Sequence, residues 1–297
     1  MKLDARTAAL LMLPPLFWAG NAVVGRALVG LVPPFALSFL RWALAGMILT
    51  AFVWRGVREH WPALRARWRD ILLMGVLGVG AYNTFQYLAL QTSTPINVTL
   101  IAASSPVFAL AVGALFFRER VRAGQWAGAA VSIAGVLWVL ARGDAGRLAS
   151  LAIAPGDLYM LVANLTWTYY TWLLRTRRPD MPLGPLLAAQ IAVGALAVAP
   201  LAATEAALGA RIVWTPATFA GLAYIAVLPS IVAYYCWDRG VAHAGAVIPV
   251  YFANLTPLFA ALLSTVLLAE APHLYHGVGL VLILAGIHIA SRRPASQ

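Results

Sequence analysis

The sequence predicts an all-α integral membrane protein with ten transmembrane helices, arranged as two inverted five-helix repeats around a central cavity. Three observations predict it. Hydrophobic residues make up 62% of the chain, charged residues 10%, and the mean hydropathy is +0.82, whereas soluble domains run at about 45–50% apolar and about 25% charged. Residues 95–142 lie over residues 246–293 at a constant offset of 151 without gaps, so Pro106 falls on Pro257, Glu119 on Glu270, Gly128 on Gly279, Gly135 on Gly286 and Arg142 on Arg293. Basic residues, finally, concentrate in alternate connections between the apolar runs.

Apolar runs of bilayer length, about 20 residues each, occur near 7–29, 35–54, 71–91, 96–117 and 124–141, and again near 156–174, 184–204, 217–237, 246–268 and 277–291. Upstream of the gapless block the offset is 149, which places Trp18 on Trp167, Arg26 on Arg175 and Pro33 on Pro182. The two units are therefore residues 1–142 and 143–297. A unit of five spans ends on the opposite side from its start, so the second copy enters the membrane upside down relative to the first. Binding where two such copies meet is the pattern of secondary transporters. The longest polar stretch, residues 55–70, leaves no extramembrane domain for separate chemistry.

With the N-terminus in the cytoplasm, sixteen Lys and Arg fall inside and only Arg142, Arg147 and Arg211 outside. That positive-inside bias puts both termini in the cytoplasm of an inner membrane. The net charge of +11 then anchors helices to the lipid bilayer and does not indicate nucleic acid. The basic, apolar start could pass for a cleaved signal peptide. Pro14, Pro15, Asn21 and Arg26 interrupt it and its counterpart at 156–175 is internal, so it reads as a retained span. The one cysteine, Cys236, lies in an apolar run, and His273 and His276 lack further ligands nearby. No metal and no cofactor are expected.

Polar and aromatic side chains within spans cost free energy in hydrocarbon unless they face the protein interior or a water-filled space. Trp18 and Asn21 share a face of the first span, and Asn164, Trp167 and Tyr170 form a similar stripe on the sixth. The third span offers Tyr82, Asn83, Gln86 and Tyr87, the eighth Tyr234, Tyr235 and Trp237, the fourth Ser104 and the ninth Tyr251 and Asn254. From these the expected substrate-binding set is Trp18, Asn21, Tyr82, Gln86, Ser104, Trp167, Tyr170, Tyr234, Trp237, Tyr251 and Asn254. The aromatic walls and neutral donors suit a small amphipathic solute. Trp18 and Trp167 head the set because they sit at matching mid-span depths. Space between them is expected, and a tightly filled centre there would overturn the carrier reading. Pro106 and Pro257 each remove a backbone hydrogen bond and should kink their helices, with a gating role in view.

Two copies of a pattern, Pro106 to Glu119 to Gly135 and Pro257 to Glu270 to Gly286, resemble the EamA domains of the drug/metabolite transporter superfamily over nearly the whole chain. Within it the chain is similar to amino-acid and metabolite exporters, the YddG-type exporters of aromatic amino acids among them. The resemblance implies ten helices, a cavity lined mainly by helices 1, 3, 4, 6, 8 and 9, with helix 2 outside its wall, and alternating access. The expected protein is thus a transporter and not an enzyme, a monomer or weak dimer that exports aromatic or large neutral amino acids. Export of another metabolite or a drug is the alternative. A lipid-modifying enzyme is disfavoured because Asp, His and Ser are dispersed.

Arg26 and Arg41 lie within spans, and for Arg41 a structural pairing with helix-end carbonyls is favoured over a substrate carboxylate. Asp157, Glu205, Asp238, Glu119 and Glu270 all read as span-end residues. With no carboxylate expected in mid-membrane, proton-coupled antiport is disfavoured and facilitative transport favoured. The lack of deep basic residues in the eighth and ninth spans disfavours phosphorylated cargo.

Overall fold

The apolar runs fold as helices whose boundaries recur at the sequence offsets. A computed structural model describes residues 4–93, 95–149, 153–268 and 273–292, and all regular elements among them are helical. The first half comprises α1 (Ala5–Ala27), α2 (Pro34–Glu59), the short α3 (Trp61–Ala66), α4 (Trp68–Thr92), α5 (Pro95–Ala103), α6 (Ser105–Phe117), α7 (Ala123–Leu140) and the single turn α8 (Gly146–Ala149). The second comprises α9 (Pro155–Thr176), α10 (Leu183–Ala207), α11 (Pro216–Ala244), α12 (Val247–Ala253), α13 (Thr256–Leu268) and α14 (Leu274–Ser291). Shifted by 149, Pro34 lands on Leu183; shifted by 151, α6 lands on α13 and α7 on α14 residue for residue.

The same shift relates two departures from α geometry. α4 contains a π-helical stretch at Gly75–Ala81 and α11 one at Ala226–Val232. In α11 the cause is Pro229: its missing N–H cannot bond the Ile225 carbonyl, and the neighbouring Ser230 hydroxyl donates to that oxygen at 2.7 Å instead. In α4 three glycines occupy the stretch, and a Cβ on Gly78 would lie 2.5 Å from the Tyr170 ring. The glycines therefore serve close packing.

Among the described residues, seven helices are long and apolar enough to cross a membrane, or eight if the bent pair α5–α6 counts as one span. The chain is a multi-pass membrane protein. Two of the ten expected spans fall short on these criteria. α9 carries Asp157, Asn164, Thr168 and Thr171, all buried, so its polar groups turn inward and lower its hydropathy. The ninth run breaks into α12 and α13 around Asn254 and Leu255. α5 and α6 meet at 42° around Ser104, and Pro106 stands in the first turn of α6. Pro257 has the same place in α13.

Helix pairs in lipid gain little from hydrophobic burial and depend on close packing by small residues. α7 and α14 show this: Gly128 approaches Gly286 and Gly135 approaches Gly279. Rising numbers on one helix meet falling numbers on the other, so the two run antiparallel. α2 and α10 also pass antiparallel, with Gly46 against Ile191 and Val53 against Gly184. The Glu205 carboxylate of α10 accepts from the Phe35 and Ala36 amides at 3.3 and 2.8 Å, placing an anion at the N-terminus of α2, where the helix dipole favours it. Glu119 is exposed; Glu270 and the Arg26 side chain fall outside the described residues.

Candidate functional site: a closed aromatic centre flanked by two buried ionisable groups

α1, α9 and α11 bring together the rings singled out from the sequence. Trp18 and Trp167 meet edge to face at 5.3 Å, and Trp237 lies 5.3 Å from Trp18 and 5.0 Å from Trp167. Tyr82, Tyr170 and Tyr234 pack on Trp167 at 4.9, 5.3 and 5.4 Å. These are ordinary spacings for offset or edge-to-face ring pairs. Trp167, Tyr170, Tyr234 and Trp237 are all buried.

The open chamber expected between Trp18 and Trp167 is therefore not present in this structure: the rings occupy that space themselves. A filled centre does not, however, overturn a carrier as the sequence reading expects. An alternating carrier must close its centre from both sides during its cycle, and a cluster of non-bonded rings can part without breaking covalent or strong polar links.

The other expected residues divide. Asn21 accepts from Arg41 at 3.4 Å and sits at the edge of the cluster; Gln86 is half-buried one turn beyond Tyr82. Ser104 lies elsewhere, donating to the Ile101 carbonyl and receiving the Asn164 amide at 3.2 Å beside the break between α5 and α6. Tyr251 donates to the Gln125 carbonyl at 2.5 Å, and Asn254 donates to Ser132 at 2.9 Å. Both of the latter bonds tie the ninth run to α7.

Two charged groups were misplaced by sequence reasoning. Arg41 is completely buried. Its Nε donates to Ser230 Oγ at 2.6 Å, its Nη1 to Asn83 Oδ1 at 2.7 Å and Tyr87 Oη at 3.2 Å, and its Nη2 to the Pro229 carbonyl at 3.2 Å. The guanidinium also lies 4.6 Å over the Trp42 ring. Only one of these partners is a backbone carbonyl, and it belongs to the π-helical stretch and not to a helix end; α2 thus reaches the centre. Asp238 was read as a span-end residue because the apolar run stops at 237. α11 continues to Ala244, and Asp238 is 2% exposed. Its Oδ1 receives the Tyr170 hydroxyl at 3.1 Å, within the same distance as Gln190 Oε1, and its Oδ2 has no partner. The Nε1 atoms of Trp42 and Trp237 are likewise buried and unpaired.

The two ionisable groups occupy related settings. Under the offsets Asn21, Arg41, Asn83 and Tyr87 correspond to Tyr170, Gln190, Tyr234 and Asp238. In one half Arg41 links Asn21, Asn83 and Tyr87; in the other the Tyr170 hydroxyl reaches Gln190 and Asp238. The bond from Asn83 Nδ2 to Tyr234 Oη at 3.1 Å joins them. Tyr234 in turn donates to the Gly78 carbonyl at 2.7 Å, while Pro229, the counterpart of Gly78, accepts from Trp18 and Arg41. Each π-helical stretch thus offers a carbonyl to the centre. A signal was legible in advance: Arg41 is an ionisable residue among apolar neighbours and Asp238 directly follows an apolar run, which is reason to look for inward-facing partners.

A cleft of about 240 Å³ opens between the end of α1, the start of α2 and the end of α4, with Gly25, Leu37, Tyr87, Gln91 and Arg211 among its lining. Tyr87 is its link to Arg41.

Comparison with known proteins agrees with this architecture. An uncharacterized transporter of Archaeoglobus fulgidus is 28% identical over 98% of this chain and 99% of its own length. A protein named aromatic amino acid exporter YddG, from Ancylobacter novellus, is 27% identical over 93% of each chain. A probable terminal-alkyne amino-acid exporter of Streptantibioticus cattleyicolor is 26% identical over 77% of this chain and 76% of its own. A solved structure described only as a crystal structure of a protein superposes with a TM-score of 0.76 at 24% identity, covering 97% of this chain and 96% of that one, and supports the fold. These relatives carry the names of transporters and not of enzymes. The EamA-like transporter family matches residues 5–141 and 154–292, and the chain belongs to that family.

Proposed function

We propose that the protein exports amino acids, aromatic or large neutral ones first, across a bacterial inner membrane by alternating access. In this reading ten spans form two inverted five-helix units, residues 1–142 and 143–297, with both termini cytoplasmic. The antiparallel passage of the counterpart helices α7 and α14, and of α2 and α10, supports the inversion. One observation carries the substrate class: Trp18, Trp167, Tyr234 and Trp237 converge where the two halves meet, and rings and aliphatic groups of a small solute pack well against such a surface. The exporters of amino acids among the relatives support the same class.

Facilitative exchange was favoured because no carboxylate was expected in mid-membrane. Asp238 removes that ground, and a second reading, export coupled to a proton or another cation, is favoured by its burial with one unpaired oxygen. The purified protein in liposomes, given labelled phenylalanine, threonine and a cationic dye with and without a pH gradient, tests both. Phenylalanine flux is expected. Flux of the dye with no amino acid moving would replace the substrate reading with drug export, and acceleration by the gradient would select the coupled mechanism.

A further inference from the structure

Arg41 is a permanent cation sealed inside the bundle. All its hydrogen-bond partners are neutral: Ser230, Asn21, Asn83, Tyr87 and the Pro229 carbonyl. The ion pairs among the described residues involve Arg67, Arg147 and Arg177, and no carboxylate lies within 4.0 Å of Arg41. Neutral dipoles take up most of its N–H groups but leave the charge uncompensated, which is costly in a low-dielectric interior. A carboxylate does both, through two parallel charge-assisted bonds.

The donor count leaves a hydrogen for one. Nη1 has two hydrogens but faces three oxygens, those of Asn21, Asn83 and Tyr87, whereas Nη2 has two hydrogens and the Pro229 carbonyl as its acceptor. An incoming carboxylate can take the Tyr87 position on Nη1 and the second hydrogen of Nη2 while Asn83 and Ser230 keep their bonds. Tyr87 both bonds Arg41 and lines the cleft, whose lining also includes the basic Arg211. Packing of α2 against α10 does not by itself demand a cation here, because the counterpart of Arg41 is the neutral Gln190, equally buried.

From this geometry we infer that Arg41 anchors the carboxylate of the transported solute, which enters from the cleft as the Tyr87 hydroxyl yields its place. The inference rests on the reading that the cargo is an amino acid or similar small acid. The cargo's hydrophobic part then lies toward Trp18 and Tyr234, and the charge selects acids and zwitterions over amines.

Calorimetric titration of the protein in lipid nanodiscs tests this with three probes: L-phenylalanine, hydrocinnamate, which lacks the ammonium, and phenethylamine, which lacks the carboxylate. Both carboxylates should bind about tenfold or more tightly than the amine. Arg41→Gln, which installs the side chain of the opposite half, should bring the carboxylates down to the level of the amine, and Arg41→Lys should recover part of the difference. Equal affinities in the wild type, no binding of any probe, or a carboxylate preference that survives Arg41→Gln overturns the inference. Where Arg41→Gln does not fold, Tyr87→Phe decides: freeing Nη1 should raise the carboxylate-to-amine affinity ratio, and an unchanged ratio is the overturning result. Carboxylate binding that depends on Arg41 without amino-acid flux in the liposome panel would defeat the cargo reading and leave the anchor standing.

Discussion

Gly128 of α7 and Gly286 of α14 meet backbone to backbone: a Cβ on Gly128 would lie 2.6 Å from the Gly286 carbonyl oxygen, and one on Gly286 would lie 2.7 Å from that of Gly128. Backbone cannot move aside as a flexible side chain can, so an added methyl must part the helices. Gly128→Ala is expected to cost about 1–3 kcal/mol, read as a lower unfolding temperature in detergent. Gly277→Ala, on the same α14 with nothing within 4 Å of its Cβ, should be neutral or gain up to about 1 kcal/mol from helix propensity. Equal effects at the two positions would refute the packing account.

Trp18 and Trp167 differ in what they support. Trp167 is buried against five rings, and Trp167→Ala should lower stability by about 3–5 kcal/mol. Trp18 is half-buried and donates to the Pro229 carbonyl at 3.2 Å. Trp18→Phe should therefore remain folded, losing about 1 kcal/mol with that bond, while phenylalanine flux in liposomes falls. Undiminished flux would reduce Trp18 to a packing residue.

The Tyr170 hydroxyl is the described side-chain donor to Asp238. Tyr170→Phe strips that partner from a buried carboxyl and should cost about 1–3 kcal/mol. Added to an Asp238→Asn background, the same change should cost measurably less, because residues in one hydrogen-bond network are not additive. A double-mutant cycle from thermal unfolding reads the coupling; additive costs would place the two side chains in independent settings.

The orientation is open to chemical labelling. With Cys236, which is buried, replaced by Ala, a cysteine at Arg211 should react with an impermeant thiol reagent added to intact cells. A cysteine at Arg67, which is exposed at the opposite end of α4, should react only after permeabilisation. The reverse pattern would invert the topology.

How far the sequence carried depended on whether a feature was local. Helix runs and their recurrence at 149 and 151 were legible, because the apolar residues that fill a span are contiguous and a duplication preserves spacing. The approach of Trp18 to Trp167 followed from matched depth, whereas Tyr234 and Trp237 were candidates only as aromatic residues of the eighth run. The π-helical stretches were not legible: glycines in one copy and Pro229 in the other produce the same geometry from different residues. Ser104, Tyr251 and Asn254 shared the composition of the central set but face α7 and α9 instead, a matter of helix rotation that a polar residue alone does not specify.

By itself, then, the chain's order of residues determined a helical membrane protein written twice, since the demand that every backbone group in lipid be paired leaves helices as the form for such apolar runs. Tertiary structure alone decided that the rings close on each other, that α11 extends far enough to bury Asp238, and that Arg41 faces Asn83, Tyr87 and Pro229 with no counter-charge among the described residues. Those outcomes depend on which faces of distant helices meet. A side chain's charge is written in the sequence, but the partners that offset it come from segments up to 189 positions away.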